Sequence, residues 1–175
     1  MPLPMNAAAP PRHTPQSLLK LLEDLGIQAS TMEHAAVFTV EESKALRGKI
    51  AGGHTKNLFL KDKKDRMFLV TALESARIDL KTLHTLIGAS GRLSFANAGL
   101  LMRHWGVEPG SVTPFGAVND SQGVVTMVLD KSMMALELLN FHPLTNTMST
   151  AIKSADLLKF LEAVNHKPLI VQASD

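Results

Sequence analysis

Four leucines near the start of the chain recur at the spacing of one helical face. They occupy positions 18, 21, 22 and 25, which is the i, i+3, i+4, i+7 pattern of an amphipathic helix. Thr14 and Pro15 precede this face as an N-cap and a first helical residue, and Gly26 follows it as a typical C-terminal stop. The pattern predicts a helix between these two boundaries.

Caps and apolar spacing of the same kind predict four more helices. Thr39 and Glu42 have the spacing of a capping box, and Gly48 follows them as a stop. Asn97 is placed to cap a helix that runs to about His104. The four predicted helices cover residues 39–48, 79–87, 97–104 and 154–164.

Short apolar or alternating runs predict strands, because turn-forming residues bound them. The clearest pair flanks the polar turn Asp62–Asp65 and predicts a β-hairpin. Residues 110–114 form either a loop or an edge strand, since Pro114 cannot donate to a strand ladder. The predicted strands cover residues 27–33, 57–61, 67–72, 93–95 and 124–129.

Helices and strands follow one another without regular β–α–β alternation. This order favours an α+β fold, with a mixed, largely antiparallel sheet flanked by helices. The 175 residues have the length of a single compact domain. We expect residues 14–172 to form that domain, and the Pro- and Ala-rich residues 1–13 to be a flexible lead-in.

The composition removes several kinds of chemistry. The chain has no cysteine and no tyrosine, which excludes disulfides, thiolate nucleophiles, cysteine-bound metals and phenolic acids or bases. None of its seven histidines forms an i, i+4 pair, so we expect neither a metal nor another cofactor. No apolar run approaches the roughly 20 residues of a membrane span, and no secretory signal pattern opens the chain. These features predict a cytoplasmic protein without a membrane partner.

Positive charge is concentrated in one part of the chain. The formal net charge is +2, yet residues 44–66 contain eight basic and two acidic side chains. A local basic field of this kind can steer a phosphate-bearing ligand. The alternative is a solvated hairpin edge that lysines protect from pairing with other strands.

Nucleotide and protease signatures are missing. The sequence contains no HExxH, GxGxxG or GxSxG motif, and the segment from Gly52 to Lys56 lacks the spacing of a P-loop. A nucleotide-dependent enzyme is therefore disfavoured.

Three segments place candidate groups on a well-defined backbone. Lys56-Asn57 lies where a loop enters a strand, a position from which a lysine could hold a phosphate and an amide a sugar hydroxyl. Residues 110–114 form a restricted loop whose N–H groups could face a ligand carbonyl. His142 precedes a proline, which holds its backbone extended. Each has a structural alternative: a solvated lysine, an ordinary tight connection, and a capping or core histidine.

Taken in order, three strings resemble the bacterial prolyl-tRNA editing domains. This family includes the YbaK-like deacylases, the insertion domain of bacterial prolyl-tRNA synthetase and the free-standing ProX or ProXp-ala-type aminoacyl-tRNA deacylases, which the chain resembles most. The resemblance extends from about Thr14 to Val171. The three strings are Lys56-Asn-Leu-Phe-Leu-Lys-Asp62, Gly110-Ser-Val-Thr-Pro-Phe-Gly116 and Asn140-Phe-His-Pro-Leu-Thr-Asn-Thr147.

The resemblance implies a role for each matching position. Lys56 matches a lysine near the terminal adenosine and its phosphate, and Gly110 begins a GxxxP loop whose backbone fixes the aminoacyl carbonyl. His142 matches a histidine that lines the aminoacyl pocket. These three are the implied catalytic positions. The implied substrate-binding positions are Asn57, Ser111, Val112, Thr113, Pro114 and Asn140.

The implied function is that of a trans-editing hydrolase that removes a small misactivated amino acid, alanine in the branch resembled most, from proline tRNA. The implied partners are the acceptor end of mischarged tRNA and, where one is needed, prolyl-tRNA synthetase. An aminoacyl ester is already activated, so hydrolysis requires a placed water and a stabilised oxyanion more than a nucleophilic side chain. Two alternatives stay open: a deacylase for cysteine or another amino acid, and a non-catalytic module that binds aminoacyl-tRNA.

Overall fold

A computed structural model of the protein describes residues 12–36 and 51–175. The described residues form five α-helices, which we number in chain order. The helices are α1 (Pro15–Asp24), α2 (Leu80–Leu86), α3 (Ala98–Trp105), α4 (Lys131–Met134) and α5 (Ser154–Ala163). The helices predicted around α1, α2, α3 and α5 are confirmed, whereas the helix predicted over 39–48 lies outside the described residues.

The predicted caps explain where these helices begin. The Thr14 hydroxyl accepts a hydrogen bond from the Ser17 N–H at 3.1 Å, and the Ser17 hydroxyl accepts one from the Thr14 N–H at 2.8 Å. This pair is a capping box in which a serine stands in the usual Glu or Gln position. α2 and α3 begin with a single side-chain cap bond each: Asp79 accepts from the Lys81 N–H, and Asn97 from the Leu100 N–H.

Eight strands form one mixed sheet in the described part of the chain. Its order is β1-β7-β6-β2-β3-β5-β8, and the short β4 pairs with β2 off this path. Pairing is antiparallel at β1–β7, β7–β6, β2–β3 and β2–β4, and parallel at β2–β6, β3–β5 and β5–β8. The predicted α+β class with a mixed sheet is therefore confirmed. The strands are β1 (Ser30–Glu33), β2 (Gly53–Lys61), β3 (Met67–Leu73), β4 (Ser94–Phe95), β5 (Val125–Asp130), β6 (Leu138–Phe141), β7 (Met148–Lys153) and β8 (Leu169–Val171).

Alternate side chains of the central strands pack into two separate hydrophobic clusters of the described residues. On β2, Phe59 packs into a cluster that includes residues of α1, α3 and α5, while Leu60 packs into a second cluster with Leu83 of α2. Successive side chains of a strand point to opposite faces. The sheet consequently lies between α1, α3 and α5 on one face and α2 on the other.

The 110–114 segment is not an edge strand. Pro109–Ser111 forms a single 3₁₀ turn, and Pro114 opens a 3₁₀ helix that ends at Asn119. Proline favours the first helical position because its fixed φ suits the helix and its missing N–H is not needed there. The second 3₁₀ helix is largely buried, so it holds the preceding residues against the body of the protein.

Candidate active site

A gap in the strand ladder opens on one edge of β2. β6 pairs in parallel with Gly53 and His54, and β4 pairs with Leu60 and Lys61. Between these two contacts, none of the described strands pairs with residues 55–58 on this edge. Thr55 closes the start of the gap, because its hydroxyl donates to the main-chain carbonyl of Asn140 on β6 at 2.6 Å.

Asn57 joins this gap to the GxxxP loop. Its amide nitrogen donates to the main-chain carbonyl of Val112 at 2.9 Å, and its amide oxygen accepts from the Thr71 hydroxyl at 2.6 Å. The Thr71 bond fixes the orientation of the amide, because a hydroxyl donor requires the oxygen on that side. Asn57 therefore connects β2 to the GxxxP loop through an oriented side chain.

The second half of the loop is built into the core. Thr113 is fully buried, and its carbonyl accepts from Trp105 Nε1 at 2.6 Å. Its hydroxyl accepts from the Phe115 N–H at 3.3 Å and begins the 3₁₀ helix. Thr113 and Pro114 thus contact protein groups and support the loop, whereas Gly110 and Ser111 lie at its open end.

Gly110 lies where an added Cβ would meet one neighbouring side chain at contact distance. Its φ is outside the left-handed region, and a Cβ built on it would meet only the side-chain amide nitrogen of Asn146, at 3.4 Å. The backbone conformation alone therefore does not require glycine here. The missing side chain instead keeps a space open between Gly110 and Asn146.

Residues 144–146 of the third string face Gly110 across the cavity, whereas Asn140 lies further away beside Ala51. Asn140 is buried on β6; its amide nitrogen donates to the carbonyl of Ala51 at 2.7 Å, and its amide oxygen has no hydrogen-bond partner. After Pro143, Leu144 adopts a positive φ of 66°, which a residue with a branched side chain rarely does. Such strain is frequent in ligand-binding loops.

A cavity of about 400 Å³ lies between the two segments. Ligand cavities usually range from about 300 to 1,000 Å³. This one combines apolar walls with the polar groups of two loops that are far apart in sequence. Its lining residues are Met102, Gly106, Val107, Glu108, Gly110, Ser111, Leu144, Thr145 and Asn146.

The main-chain donors at the open end of the GxxxP loop are not equivalent. The Ser111 N–H already donates to the Glu108 carbonyl at 2.9 Å. An oxyanion bound by this loop would consequently be held by the N–H groups of Gly110 or Val112. Since backbone donors are fixed in position, they can stabilise developing charge without reorganising.

His142 is held as a neutral imidazole with a defined tautomer. Its Nδ1 lies 3.1 Å from the carbonyl of Met148, and a carbonyl only accepts, so Nδ1 carries the proton. Burial lowers the pKa of His142 below its ordinary value of 6.5, the Met148 carbonyl opposes this effect, and the nearby His34 lowers it further. At neutral pH Nε2 therefore carries a lone pair and can accept a proton or a hydrogen bond.

Lys56 points away from the GxxxP loop. Alternation along β2 puts its side chain on the opposite face from Asn57. The half-buried Lys56 ammonium donates to the carbonyl of Ala76, which follows β3. Among the described residues, no hydrogen bond joins Lys56 to the loop or to His142. The structure thus brings Asn57, Gly110, Ser111 and Val112 together. It places the Lys56 side chain on the opposite face of β2.

No metal centre is evident in residues 12–36 and 51–175. These ranges contain no group of three or more His, Asp or Glu side chains with the geometry to hold an ion. In the same ranges, no helix has the length and apolar character needed to cross a bilayer.

Comparison with known proteins places this architecture in a family. The sequence model of the aminoacyl-tRNA editing domain matches residues 34–160. The chain belongs to the aminoacyl-tRNA editing domain family.

Two relatives narrow the branch within the editing family. The chain is 38% identical over 167 residues to prolyl-tRNA synthetase associated domain-containing protein 1 of Danio rerio, covering 94% of this chain and 90% of that protein. It is 35% identical over 149 residues to the prolyl-tRNA editing protein ProX of Acetoanaerobium sticklandii, covering 85% and 90%. The prolyl-tRNA editing branch implied by the three strings is thereby confirmed.

A solved structure agrees with the fold. A protein crystallised as a candidate trans-editing enzyme for prolyl tRNA synthetase superposes with a TM-score of 0.71 at 18% identity, over 92% of this chain and 96% of that one. At this identity the similarity concerns the fold alone.

Several residues of the editing-domain cavity are not among the predicted site residues. Thr145 and Asn146 belong to a hydroxyl- and amide-rich run directly after the Asn-Phe-His-Pro segment, so their polar character was a usable signal. Met102 and Glu108 carry no such signal, because only the packing of α3 beside the loop brings them to the cavity. His34 follows β1, which pairs with β7, and lies near enough to His142 to lower its pKa. Its Nε2 lies 2.9 Å from the Ser149 hydroxyl oxygen.

Proposed function

We propose that this protein is an aminoacyl-tRNA deacylase that removes a small misactivated amino acid, alanine, from proline tRNA. The observation that supports this most is the cavity between Gly110 and Asn146, which combines an open glycine, main-chain donors and small polar groups. Membership of the aminoacyl-tRNA editing family and the similarity to ProX support the substrate class.

In the proposed reaction, the aminoacyl ester lies between the GxxxP loop and the Leu144–Asn146 turn. Water attacks the ester carbonyl, the bond to the ribose oxygen breaks, and the products are free alanine and the ribose hydroxyl of the tRNA. The N–H of Gly110 or Val112 stabilises the oxyanion. His142 Nε2, unprotonated at neutral pH, accepts a hydrogen bond from the attacking water or from the ribose hydroxyl that positions it.

Preference for alanine would follow from the apolar walls of the cavity. Met102, Val107 and Leu144 line it, and their bulk would exclude a larger side chain. Exclusion by size is effective against larger substrates, whereas one missing methylene changes binding by only about 1–3 kcal/mol. Cysteine, which is only slightly larger than alanine, is accordingly the competitor to compare.

Single-turnover hydrolysis tests the proposal. Proline tRNA charged with alanine, cysteine or proline is incubated with excess protein, and released amino acid is measured. Release of alanine well above the buffer rate, with slower release of cysteine and proline, is the expected result. Saturable binding without release of any amino acid would contradict the hydrolase and favour the binding module.

The assigned role of Lys56 has its own test. We expect Lys56→Ala to lower the deacylation rate strongly, because the resemblance places this lysine near a substrate phosphate. The thermal unfolding midpoint should change little, because among the described residues the half-buried side chain donates one hydrogen bond, to Ala76. Lys131→Ala, which removes an exposed lysine on α4, is the matched control. A Lys56→Ala protein with the normal rate would show that the lysine acts elsewhere than in hydrolysis.

A further inference from the structure

A buried carboxylate connects the β2–β3 turn to the loop that follows α2 through hydrogen bonds. Asp62 accepts main-chain hydrogen bonds from Lys64, Arg66 and Ser90 and a side-chain bond from Arg66 Nε, each at 2.9 Å. Burial alone would raise the pKa of Asp62, but these donors lower it to about 2. The carboxylate is consequently ionised, and donors of the protein itself bind it. The Arg66 guanidinium also donates to the carbonyl of Gly88 at 2.8 Å.

This rigid unit presents a basic surface. Lys63 lies along Gly91, where an added Cβ would come within 2.7 Å of Lys63 Cδ. Beside it, a cavity of about 620 Å³ is lined by Lys81, His84 and Arg92 together with Asp79, Leu80 and Leu93. We call this set of residues the basic surface: Lys61, Lys63, Lys64, Arg66, Lys81, His84 and Arg92.

The basic surface carries a net positive charge. Its six Lys and Arg residues outnumber the three acidic residues of the same segments, Asp62, Asp65 and Asp79. Asp62 is buried, and Asp79 accepts from the Lys81 N–H as the cap of α2. Within the described part of the chain, Arg66 is the one member with a carboxylate ion pair. Cations on adjacent elements suit a polyanion, because several phosphates can be neutralised at once.

The basic surface continues toward the candidate active site through β4. Lys61 pairs with Ser94, and the neighbouring Phe95 is 64% exposed. Asn97 then caps α3, whose Met102 lines the cavity beside Gly110. An exposed aromatic ring between cations and a cavity is an arrangement that proteins use to stack nucleic-acid bases.

We propose that the basic surface binds the sugar-phosphate backbone of the tRNA acceptor stem, and that Phe95 stacks on an unpaired nucleotide near its 3′ end. This inference rests on the proposed function for the identity of the RNA, but it concerns a surface outside the hydrolytic cavity. Cations hold the stem, and the end of the strand then passes α3 to reach Gly110.

Salt-dependent binding of uncharged proline tRNA tests the proposal without requiring hydrolysis. Lys63→Gln/Lys64→Gln/Arg92→Gln is compared with Lys153→Gln/Lys159→Gln/Lys167→Gln, which removes the same charge from exposed positions on β7, α5 and the segment after it. We expect the first variant to weaken binding at least tenfold at 0.1 M salt. The slope of log affinity against log salt should fall by about two to three, the value for three lost phosphate contacts. The control should bind almost as the wild type does.

Phe95 is tested separately. Phe95→Ala should weaken tRNA binding several-fold, and Phe95→Trp should restore it, because a larger ring preserves stacking. Thermal unfolding of every variant checks that the fold is intact, as expected for exposed positions.

A short alanyl-ester substrate that ends in CCA separates this proposal from the proposed function. If the basic-surface variant hydrolyses the short ester normally but full tRNA slowly, the surface acts on the stem as proposed. If no substrate is hydrolysed, the hydrolase fails while the binding experiment still decides the surface. Unchanged tRNA affinity and salt slope, an equal loss in the control, or equal binding of polyglutamate would overturn the proposal.

Discussion

His142 and His166 make one hydrogen bond in common and differ in the other. In both, Nδ1 donates to a main-chain carbonyl, that of Met148 at 3.1 Å and that of Val164 at 2.9 Å. Nε2 of His166 also donates to Asp120 Oδ2 at 2.9 Å. Nε2 of His142 has no hydrogen-bonding partner among the described residues.

This difference gives the two imidazoles different charge states. Burial lowers the pKa of both rings, but the Asp120 carboxylate and the Val164 carbonyl outweigh it for His166 and raise the pKa of that ring above 6.5. His166 is therefore favoured as an imidazolium that closes a buried ion pair, whereas His142 stays neutral with a free lone pair. A histidine can serve chemistry only where its second nitrogen is not already used by the fold.

The surroundings of the two rings differ in the same sense. His166 packs edge-on against Trp105 with ring centroids 5.8 Å apart, and Trp105 in turn holds the Thr113 carbonyl. Asp120 also accepts from the N–H groups of Val124 and Val125, at 3.1 and 2.8 Å. This packed region supports the GxxxP loop through the Thr113 carbonyl, whereas Gly110 at the other end of the loop lines the cavity.

The same substitution at both histidines should have the largest effects, on the deacylation rate at His142 and on stability at His166. Asparagine can retain a donor near Nδ1 while removing Nε2. His142→Asn should lower single-turnover deacylation by about 100-fold or more with little change in the unfolding midpoint. His166→Asn should cost about 3–5 kcal/mol of stability, because it leaves Asp120 buried without its cation, which corresponds to roughly 10 °C in Tm for a chain of this size.

Rates and unfolding midpoints measured on both variants decide the outcome. The folded fraction of His166→Asn, assayed well below its Tm, should hydrolyse at close to the wild-type rate. The assignment would be wrong if His142→Asn were fully active, or if His166→Asn were inactive although folded and stable.

Gly110 and Gly116 differ in the space around an added side chain, although they lie in one segment. An added Cβ at Gly116 would lie 2.1 Å from Cδ1 and Nε1 of the Trp105 ring, whereas at Gly110 it meets only Asn146 at 3.4 Å. We expect Gly116→Ala to destabilise the fold by about 1–3 kcal/mol or more through overpacking. Gly110→Val should instead lower the deacylation rate tenfold or more, since its branched side chain fills the cavity.

Ser111→Ala is the control for these two variants. The Ser111 side chain is buried at the cavity edge, and no hydrogen bond to its hydroxyl exists among the described residues. Its loss should change rate and stability only slightly. Single-turnover rates and thermal unfolding of the three variants distinguish the cases, and an inactive Ser111→Ala enzyme would shift the mechanism from the main chain to this hydroxyl.

Much of the fold was predictable because its signals are local. Capping residues and apolar spacing placed four of the five described helices to within a few residues, and the polar turn at Asp62–Asp65 predicted the β2–β3 hairpin. β6, β7 and β8 were not predicted, because their short segments lack strong alternation and are stabilised as strands by distant partners. β1 is shorter than the predicted strand over 27–33 for a related reason: only residues 30–33 reach β7.

The candidate site was predictable in its segments but not in its geometry. The three strings named the loop, the histidine and the lysine, yet no spacing rule shows that Asn57 donates to Val112, 55 residues away. Asp120 and His166 are likewise 46 residues apart, so the sequence cannot distinguish the paired histidine from the free one. Their roles differ through long-range contacts, which only the folded chain defines.

The smallest expected effect concerns the pH dependence of the Asp120–His166 pair. The folded pKa of His166 is raised above 6.5, so its stabilising contribution is complete below pH 6.5 and is lost as the pH rises through the raised pKa. Burial would raise the pKa of Asp120, but His166 and the two main-chain donors lower it below 3.8. The contribution of Asp120 is consequently present above that pH and lost only in stronger acid.

Urea unfolding of the wild type from pH 5 to 9 should show stability falling on the alkaline side. The double variant Asp120→Asn/His166→Gln, which has no titratable group at either position, should lack this component of the fall. Parallel curves for the two proteins would show that His166 is not an imidazolium in the folded state, and the contrast with His142 would then rest on hydrogen-bond geometry alone.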